Sequence, residues 1–382
     1  MTKCPRCFSS LTTDDAVAWV DRDPAEVTVD PVASAYAGRE VRMGRVKVAR
    51  RNEWSGSWPP VPDRACDPAC PVCHFVLPQH WYYGSATCIT MAGARATGKT
   101  VYIAVLIKQL QRFAARLNRE VFPANDETVR RFRDEYETPL FTERGILQPT
   151  PRASLHGSYQ HDPLIFNLGE WAGRRRYLVI RDVAGEDLEA ADVGGVAWEF
   201  FSRADAVLFM FDPLCVGEVA NQLRDLVPPP SSLGGDPRQV LHTMTNLIGN
   251  GSPKLAVILS KFDALQALSA VEASAWGQVM GQLGAAYNRD PSLLARGYDE
   301  NDGQGLHEEV RSLLTKLDAG PALTTMVNPV TGHQYEHRFF AVSALGASPE
   351  GEKLSDRGIS PFRVTDPVRW VLAADNVMMD GA

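Results

Sequence analysis

Short, continuous apolar runs alternate with longer amphipathic ones along most of this chain. "ATCITMAG", "ADAVLFMFDP", "KLAVILSKFD" and "HRFFAVSALG" have strand length and are rich in β-formers, as expected of strands buried on both faces. After the first of them, "VYIAVLIKQLQRFAARL" places Val101, Val105, Leu106, Leu110, Phe113 and Leu117 at helical spacing. Further helices are expected over about 187–203, 215–227, 238–249, 264–285, 305–317 and 364–376. "PLIFNLGEW" and "RRRYLVIRDVAG" are parted only by a short turn and predict an antiparallel hairpin. The segment 123–147 is an enlarged link that predicts an extra helix. "PPPSSLGGDP" and "ARGYDENDGQG" read as loops, and no internal repeat is present. The alternation predicts an α/β fold, a mostly parallel sheet with helices on both faces.

The first eighty residues follow a different pattern. Four of the seven cysteines form two matching pairs, "CPRC" (Cys4, Cys7) and "CPVC" (Cys70, Cys73). Each C-P-x-C turn offers two thiolates to one side of a tetrahedral ion, so the two together predict a four-cysteine zinc site in a small ribbon. Cys66 and His74 lie near enough in sequence to substitute for one ligand, and that choice stays open here. Cys88 and Cys215 lie in apolar surroundings and read as core residues. The ribbon is assigned to residues 1–83, with 8–69 as an insertion between its two turns, and the α/β domain to 84–382. Within the insertion, "GREVRMGRVKVARR" alternates basic and apolar residues as a strand or hairpin does. It reads equally well as a docking surface for a protein partner and as a decorated hairpin packed on the ribbon.

Composition narrows the function classes. A net charge of −7 disfavours broad binding to nucleic acid or to anionic membrane. No run approaches the ~18 apolar residues of a spanning helix, and "MTKCPRCFSS" lacks the apolar centre of a secretion signal. A reducing, cytoplasmic setting is the expectation, which favours metal binding over disulfides for the cysteine pairs.

The chemistry concentrates where strands end. "GARATGKT" fits G-x-x-x-x-G-K-[ST], a pattern that about one chain of this length in a hundred would match by chance. Here a predicted strand precedes it and a predicted helix follows it, as phosphate binding requires. The loop runs Gly93, Ala94, Arg95, Ala96, Thr97, Gly98, Lys99, Thr100 and into Val101. Its glycines let successive N–H groups face phosphate oxygens, Lys99 neutralises them, and the Thr100 hydroxyl is placed for Mg²⁺. Asp182, ending "YLVIRD", can hold the magnesium shell, and Gly185 lets a backbone N–H approach a γ-phosphate. Asp263, after "LAVILSKF", can accept from both the ring N–H and the amine of guanine. Ser343, Ala344 and Leu345 follow the last strand and can meet the guanine O6 through their backbone.

The order loop, D-x-x-G, S-K-x-D, S-A-L resembles the translation-factor-like P-loop GTPases over about residues 84–378. The ribbon leading into the loop is similar to bacterial double-GTPase-like or conflict-system GTPases. That resemblance implies a G domain that binds GTP or GDP with Mg²⁺. It assigns Asp182 and Gly185 to switch II, Lys261 and Asp263 to base specificity, and Ser343 with Ala344 to the second base loop. The chain departs from the pattern at three points. Ser260 stands where Asn or Thr is usual, Leu345 where Lys is usual, and Glu186 where a water-orienting Gln often follows the D-x-x-G. For the switch I threonine, Thr150 is chosen, with Thr138 and Thr142 as alternatives. Arg95 could supply a compensating positive charge within the loop.

The resulting expectation is a slow, Mg²⁺-dependent GTPase switch whose zinc ribbon or switch loops engage a protein effector or activator. Lys99, Thr150, Gly185, Glu186 and Arg95 would be its catalytic group. The alternatives are a nucleotide-binding scaffold with little hydrolysis, an ATPase if the SKFD motif is coincidental, and a zinc-ribbon nucleic-acid binder.

Overall fold

Seven strands form the central sheet in the spatial order β14-β13-β12-β8-β11-β10-β9. In chain order these are β8 (Ser85–Ala92), β9 (Phe122–Pro123), β10 (Leu164–Trp171), β11 (Arg174–Asp182), β12 (Ala206–Phe211), β13 (Lys254–Leu259) and β14 (His337–Ala341). The computed structural model describes residues 2–12, 16–50, 66–145, 147, 162–190, 194–223, 235–270, 275–291, 297–347, 354 and 358–378. All strands run one way except β10, which pairs antiparallel with both β11 and β9. The expected hairpin within a parallel sheet is therefore present. Every residue of β8 and β12 is buried, which is why those runs are apolar throughout instead of alternating. Among the described residues, no helix is long and apolar enough to cross a membrane.

Parallel register brings the strand ends to one edge. Asp182 lies opposite Met91, Phe209 opposite Ala92, and Phe211, Leu259 and Ala341 form a row. The loops after β8, β11, β13 and β14, far apart in sequence, thus open on the same side of the sheet.

Helices depart from the sequence expectation at identifiable residues. The helix expected over 187–203 is three short pieces, Gly185–Glu189, a 3₁₀ turn Val196–Trp198, and Phe200–Arg203. Ala190 leaves the helical region, and Gly195, at φ 83°, cannot continue it. The helix expected over 264–285 is likewise divided into Asp263–Gln266, a 3₁₀ turn Ala267–Ala270, and Ala275–Met280. Conversely, "DENDGQG" is not loop. Asp299 caps Glu300–Lys316 by accepting from the backbone N–H groups of Asn301 and Asp302, so this polar stretch is an exposed first turn. The link 123–147 does carry the extra helix. Asp126–Arg131 runs into an eleven-residue π-helix, Phe132–Thr142, with Pro139 inside it.

The N-terminal region has its own strands: β1 (Thr2–Lys3), β2 (Ser10–Leu11), β3 (Ala16–Asp21), β4 (Thr28–Val29), β5 (Arg42–Met43), β6 (Val46–Arg50) and β7 (Cys66–Ala69). The basic-apolar stretch is not a local hairpin, since β5 pairs with β4 whereas β6 joins β3 and β7 in a separate sheet. A helix, Pro31–Ala37, capped by Asp30, lies between β4 and β5.

This region is bonded to the central sheet. Lys3 Nζ donates to Asp205 at 2.6 Å, whose other carboxylate oxygen accepts from the Cys88 N–H of β8. Trp81, whose Nε1 donates to the Lys3 carbonyl within this region, packs its ring 4.5 Å from that of Tyr177 in β11, and Arg6 pairs with Asp162 at 2.7 Å. Arg181, buried next to Asp182, donates to the Arg6 carbonyl at 2.6 Å and lies 3.6 Å over the Phe200 ring. Burial and the neighbouring Arg6 pull its guanidinium down to about 9.

Candidate nucleotide and metal sites

The four-cysteine cluster is assembled from two turns of one design. Cys4 and Cys70 each accept, at their carbonyls, from the residue four positions on, at 3.0 Å, and those residues, Phe8 and His74, both have φ near 57°. The four Sγ atoms lie within 4.8 Å of one another, with Cys4–Cys73 at 3.4 Å and Cys7–Cys70 at 3.8 Å. Tetrahedral Zn–S bonds of ~2.3 Å require about 3.8 Å between sulfurs, so the donor set and its spacing fit zinc. Burial pushes the Cys4 and Cys73 thiols up, a cost that a bound cation offsets by holding them as thiolates. Neither alternative ligand joins the cluster. Cys66 faces Asp21 from β7, and His74 Nδ1 is 2.8 Å from Asp30 Oδ2, in the turn position that Phe8 occupies in the other pair. Cys88 is a buried core residue as expected, while Cys215 is half-buried.

The phosphate loop leaves β8 at Gly93 and enters the helix Lys99–Arg116 at Gly98, at φ 155° and 87°. A side chain at Gly93 would fall 2.2 Å from the Met210 carbonyl of β12, so only glycine allows the strand to turn there. Lys99 is buried and donates to the Gly93 and Ala94 carbonyls at 2.8 and 3.0 Å. Burial lowers its amine to about 8, against the opposing pull of the Asp182 and Glu189 carboxylates. The Thr97 hydroxyl donates to the Ala94 carbonyl at 2.9 Å. Ala96 adopts φ 62°, and Arg95 and Ala96 are exposed at the mouth of the loop. Thr100 and Val101 begin the helix.

The turn after β11 meets this loop directly. A side chain on Gly185 would lie 2.2 Å from the Arg95 nitrogen and 2.4 Å from the Ala94 carbonyl carbon. The helix Gly185–Glu189 turns back over the loop, bringing Glu186 within 3.5 Å of the Arg95 guanidinium. Asp182 is buried at the end of β11, and its Oδ2 lies 3.4 Å from the Tyr136 hydroxyl of the π-helix. No sequence motif marks Tyr136; a tyrosine inside a buried helix looks like core until Asp182 is found beside it. Thr150 lies outside the described residues, while Thr138 and Thr142 are in the π-helix.

The turns after β13 and β14 are likewise joined. Asp263 accepts from the Ser343 hydroxyl at 2.5 Å, and that hydroxyl accepts from the Gly346 N–H at 2.9 Å. Ser343 also exchanges two backbone hydrogen bonds with Phe362. Ala344 and Leu345 follow, the latter accepting from the Ser360 N–H at 2.9 Å. Lys261 adopts φ 52° and pairs with the buried Asp212 at 3.1 Å. Ser260, in place of Asn or Thr, donates its hydroxyl to the Phe211 carbonyl of β12, bracing two strand ends together. The Gly93–Thr100 loop, Gly185, Asp263 and Ser343 thus follow strand ends on one edge of the sheet.

Three comparisons with known proteins gave matches. The family model described as Double-GTPase 2 matches residues 87–314. A protein of Mycolicibacterium smegmatis, named "Putative ESX-1 scaffolding and assembly protein SaeC", is 48% identical over 387 residues, spanning 99% of this chain and all of its own length. Among solved structures, the bacterial selenocysteine-specific elongation factor EF-Sec aligns with 67% of this chain and 25% of its own, at 13% identity and a TM-score of 0.25.

Proposed function

Because this chain belongs to the Double-GTPase 2 family, we propose that it is a guanine-nucleotide switch: a ribbon over residues 1–83 and a G domain over 84–382. The observation that carries this reading is the seating of Gly185 against Ala94 and Arg95, since a third phosphate emerging from the loop would press on switch II.

In this reading the N–H groups from Ala94 to Val101 cradle the phosphates, and the Lys99 ammonium leaves its two loop carbonyls for phosphate oxygens. Asp263 accepts from the guanine edge, held in orientation by the Ser343 hydroxyl. The Thr100 hydroxyl and the Asp182 carboxylate are hard oxygen donors on adjacent elements and suit Mg²⁺. Such an ion, when bound, neutralises charge developing on the phosphoryl oxygens. Cys4, Cys7, Cys70 and Cys73 hold zinc as a structural ion.

Hydrolysis is slow in this proposal. An ionised Glu186 can accept from an attacking water but cannot donate to the γ-phosphate, as a glutamine would. Arg95 faces Glu186 and so reaches the same region. The test is single-turnover GTP hydrolysis by the wild type, Glu186→Gln and Arg95→Ala. A faster Glu186→Gln identifies the glutamate as a brake, whereas an inactive one makes it the base. Absence of phosphate release from all three proteins contradicts the enzymatic half of the proposal.

The second reading is a nucleotide-binding scaffold. It is favoured by the glutamate at position 186 and by the name of the M. smegmatis relative, which describes scaffolding and assembly. Under either reading the partners are proteins, engaged through the 8–69 insertion or the switch loops. Binding with no turnover selects this reading.

A further inference from the structure

We infer that Glu189 is a built-in substitute for the γ-phosphate, and that it sets how far this protein prefers a nucleoside triphosphate over a diphosphate. The inference rests on the guanine-nucleotide reading above. Glu189 ends the short helix that follows Gly185, and its Oε1 accepts from the Arg95 backbone N–H at 2.7 Å. Arg95 is the third residue of the phosphate loop, and its nitrogen is the atom against which Gly185 is packed.

A backbone N–H makes one strong hydrogen bond. While a carboxylate oxygen holds it, a phosphate oxygen cannot use it at full strength, and two anions brought to one donor repel. The loop position concerned is where switch II touches, the outer end of the phosphate track. The β-phosphate is held deeper, by the N–H groups entering the helix at Gly98 and Lys99. A diphosphate therefore leaves Glu189 in place, and a triphosphate must displace it.

The carboxylate is supported from behind. Gly235 leaves room for it, since a side chain there would fall 2.5 Å from Glu189 Cδ. Gln239, on the helix Pro237–Ile248, donates from Nε2 to the Glu189 carbonyl at 2.9 Å and fixes the end of the switch helix. Displacing the side chain thus loosens the contact of switch II with the loop, while the Gln239 bond to the main-chain carbonyl keeps the switch helix on the 237–248 helix.

The test measures GTP and GDP affinities, with Mg²⁺, for the wild type, Glu189→Ala and Glu189→Gln. A charge-assisted hydrogen bond predicts a gain of about 10-fold or more in GTP affinity for Glu189→Ala, with GDP affinity within about twofold of wild type. Glu189→Gln, which keeps the shape and loses the charge, is expected between the two. Hydrogen exchange of the nucleotide-free protein supplies a second readout. The peptide containing Arg95 should exchange faster in Glu189→Ala. An unchanged GTP-to-GDP ratio, or a GTP affinity that falls, overturns the inference while leaving the nucleotide-switch reading intact. A wild type that binds neither nucleotide overturns that reading and this inference with it.

Discussion

The Ser343 hydroxyl donates to Asp263 Oδ1 at 2.5 Å, joining two residues eighty positions apart at the ends of neighbouring strands. The carboxylate proposed to read the base is thereby oriented before any base arrives. Such preorganisation lowers the ordering cost of binding. The same serine is tied through its backbone to Phe362, and Arg363 beyond it is fully buried in ion pairs with Asp302 and Asp366. The base loop is therefore held from the C-terminal side of the chain as well as from β14.

This arrangement predicts a change of base preference. Asp263→Asn should weaken GTP by at least about 100-fold, because a pattern of buried donors loses its partner. It should favour xanthosine triphosphate, whose second keto group accepts from the new amide. Ser343→Ala should cost about 3- to 10-fold, because the carboxylate stays but loses the hydrogen bond that orients it. Competition binding with GTP, XTP and ATP checks both; equal loss for all three would remove Asp263 from base recognition.

Lys99 predicts a pH dependence. Its amine titrates near 8 in the free protein, depressed by burial, whereas phosphate binding requires the ammonium. Below pH 8 the lysine is already charged and affinity should be flat. Above it, binding must take up a proton, so affinity should fall about tenfold per pH unit until the bound-state pKa is reached. Titration calorimetry in buffers of differing ionisation enthalpy should register the proton uptake at pH 9 and none at pH 7. Lys99→Ala should remove tight binding and leave the fold intact.

Tyr136 should govern the metal side. Its hydroxyl lies 3.4 Å from Asp182 Oδ2, and Tyr136→Phe removes that polar neighbour without changing shape. The Mg²⁺ concentration for half-maximal GTP binding should shift by about 3- to 10-fold, with nucleotide affinity in EDTA unchanged. An equal change with and without the metal would make Tyr136 a packing residue.

Purified protein should carry one zinc per chain. Replacing both Cys70 and Cys73 by serine should release it and lower the temperature of the first unfolding transition, because small metal sites supply their own folding energy. Nucleotide affinity should change less than about threefold, since the strands that carry the loops, β8 through β14, pair with one another and with no strand of the ribbon. Elemental analysis together with calorimetry checks this, and a metal-free wild type with an intact ribbon would contradict it.

The sequence by itself determined the sheet strands β8 and β10 to β14, their mostly parallel run with one hairpin, the glycine loop and the two cysteine turns, but gave no sign of β9. These features are local: a buried strand is continuously apolar, a loop that curls around phosphate needs glycine, and a zinc knuckle fixes its own spacing. What only the tertiary structure decided is nonlocal. It brought Glu189, the last residue of the short helix before Ala190, to the Arg95 N–H, a contact spanning ninety-four positions. It turned "DENDGQG" into a capped helix start, divided the basic stretch between two sheets, and excluded His74 from the cysteine cluster by engaging it with Asp30. It placed Tyr136 beside Asp182, and it gave Ser260 the Phe211 carbonyl as partner. Periodicity and motif spacing report which face of an element is buried and which residues share a turn. Which distant carboxylate, hydroxyl or carbonyl completes each site is set by how the elements pack, and a single sequence carries no local trace of that.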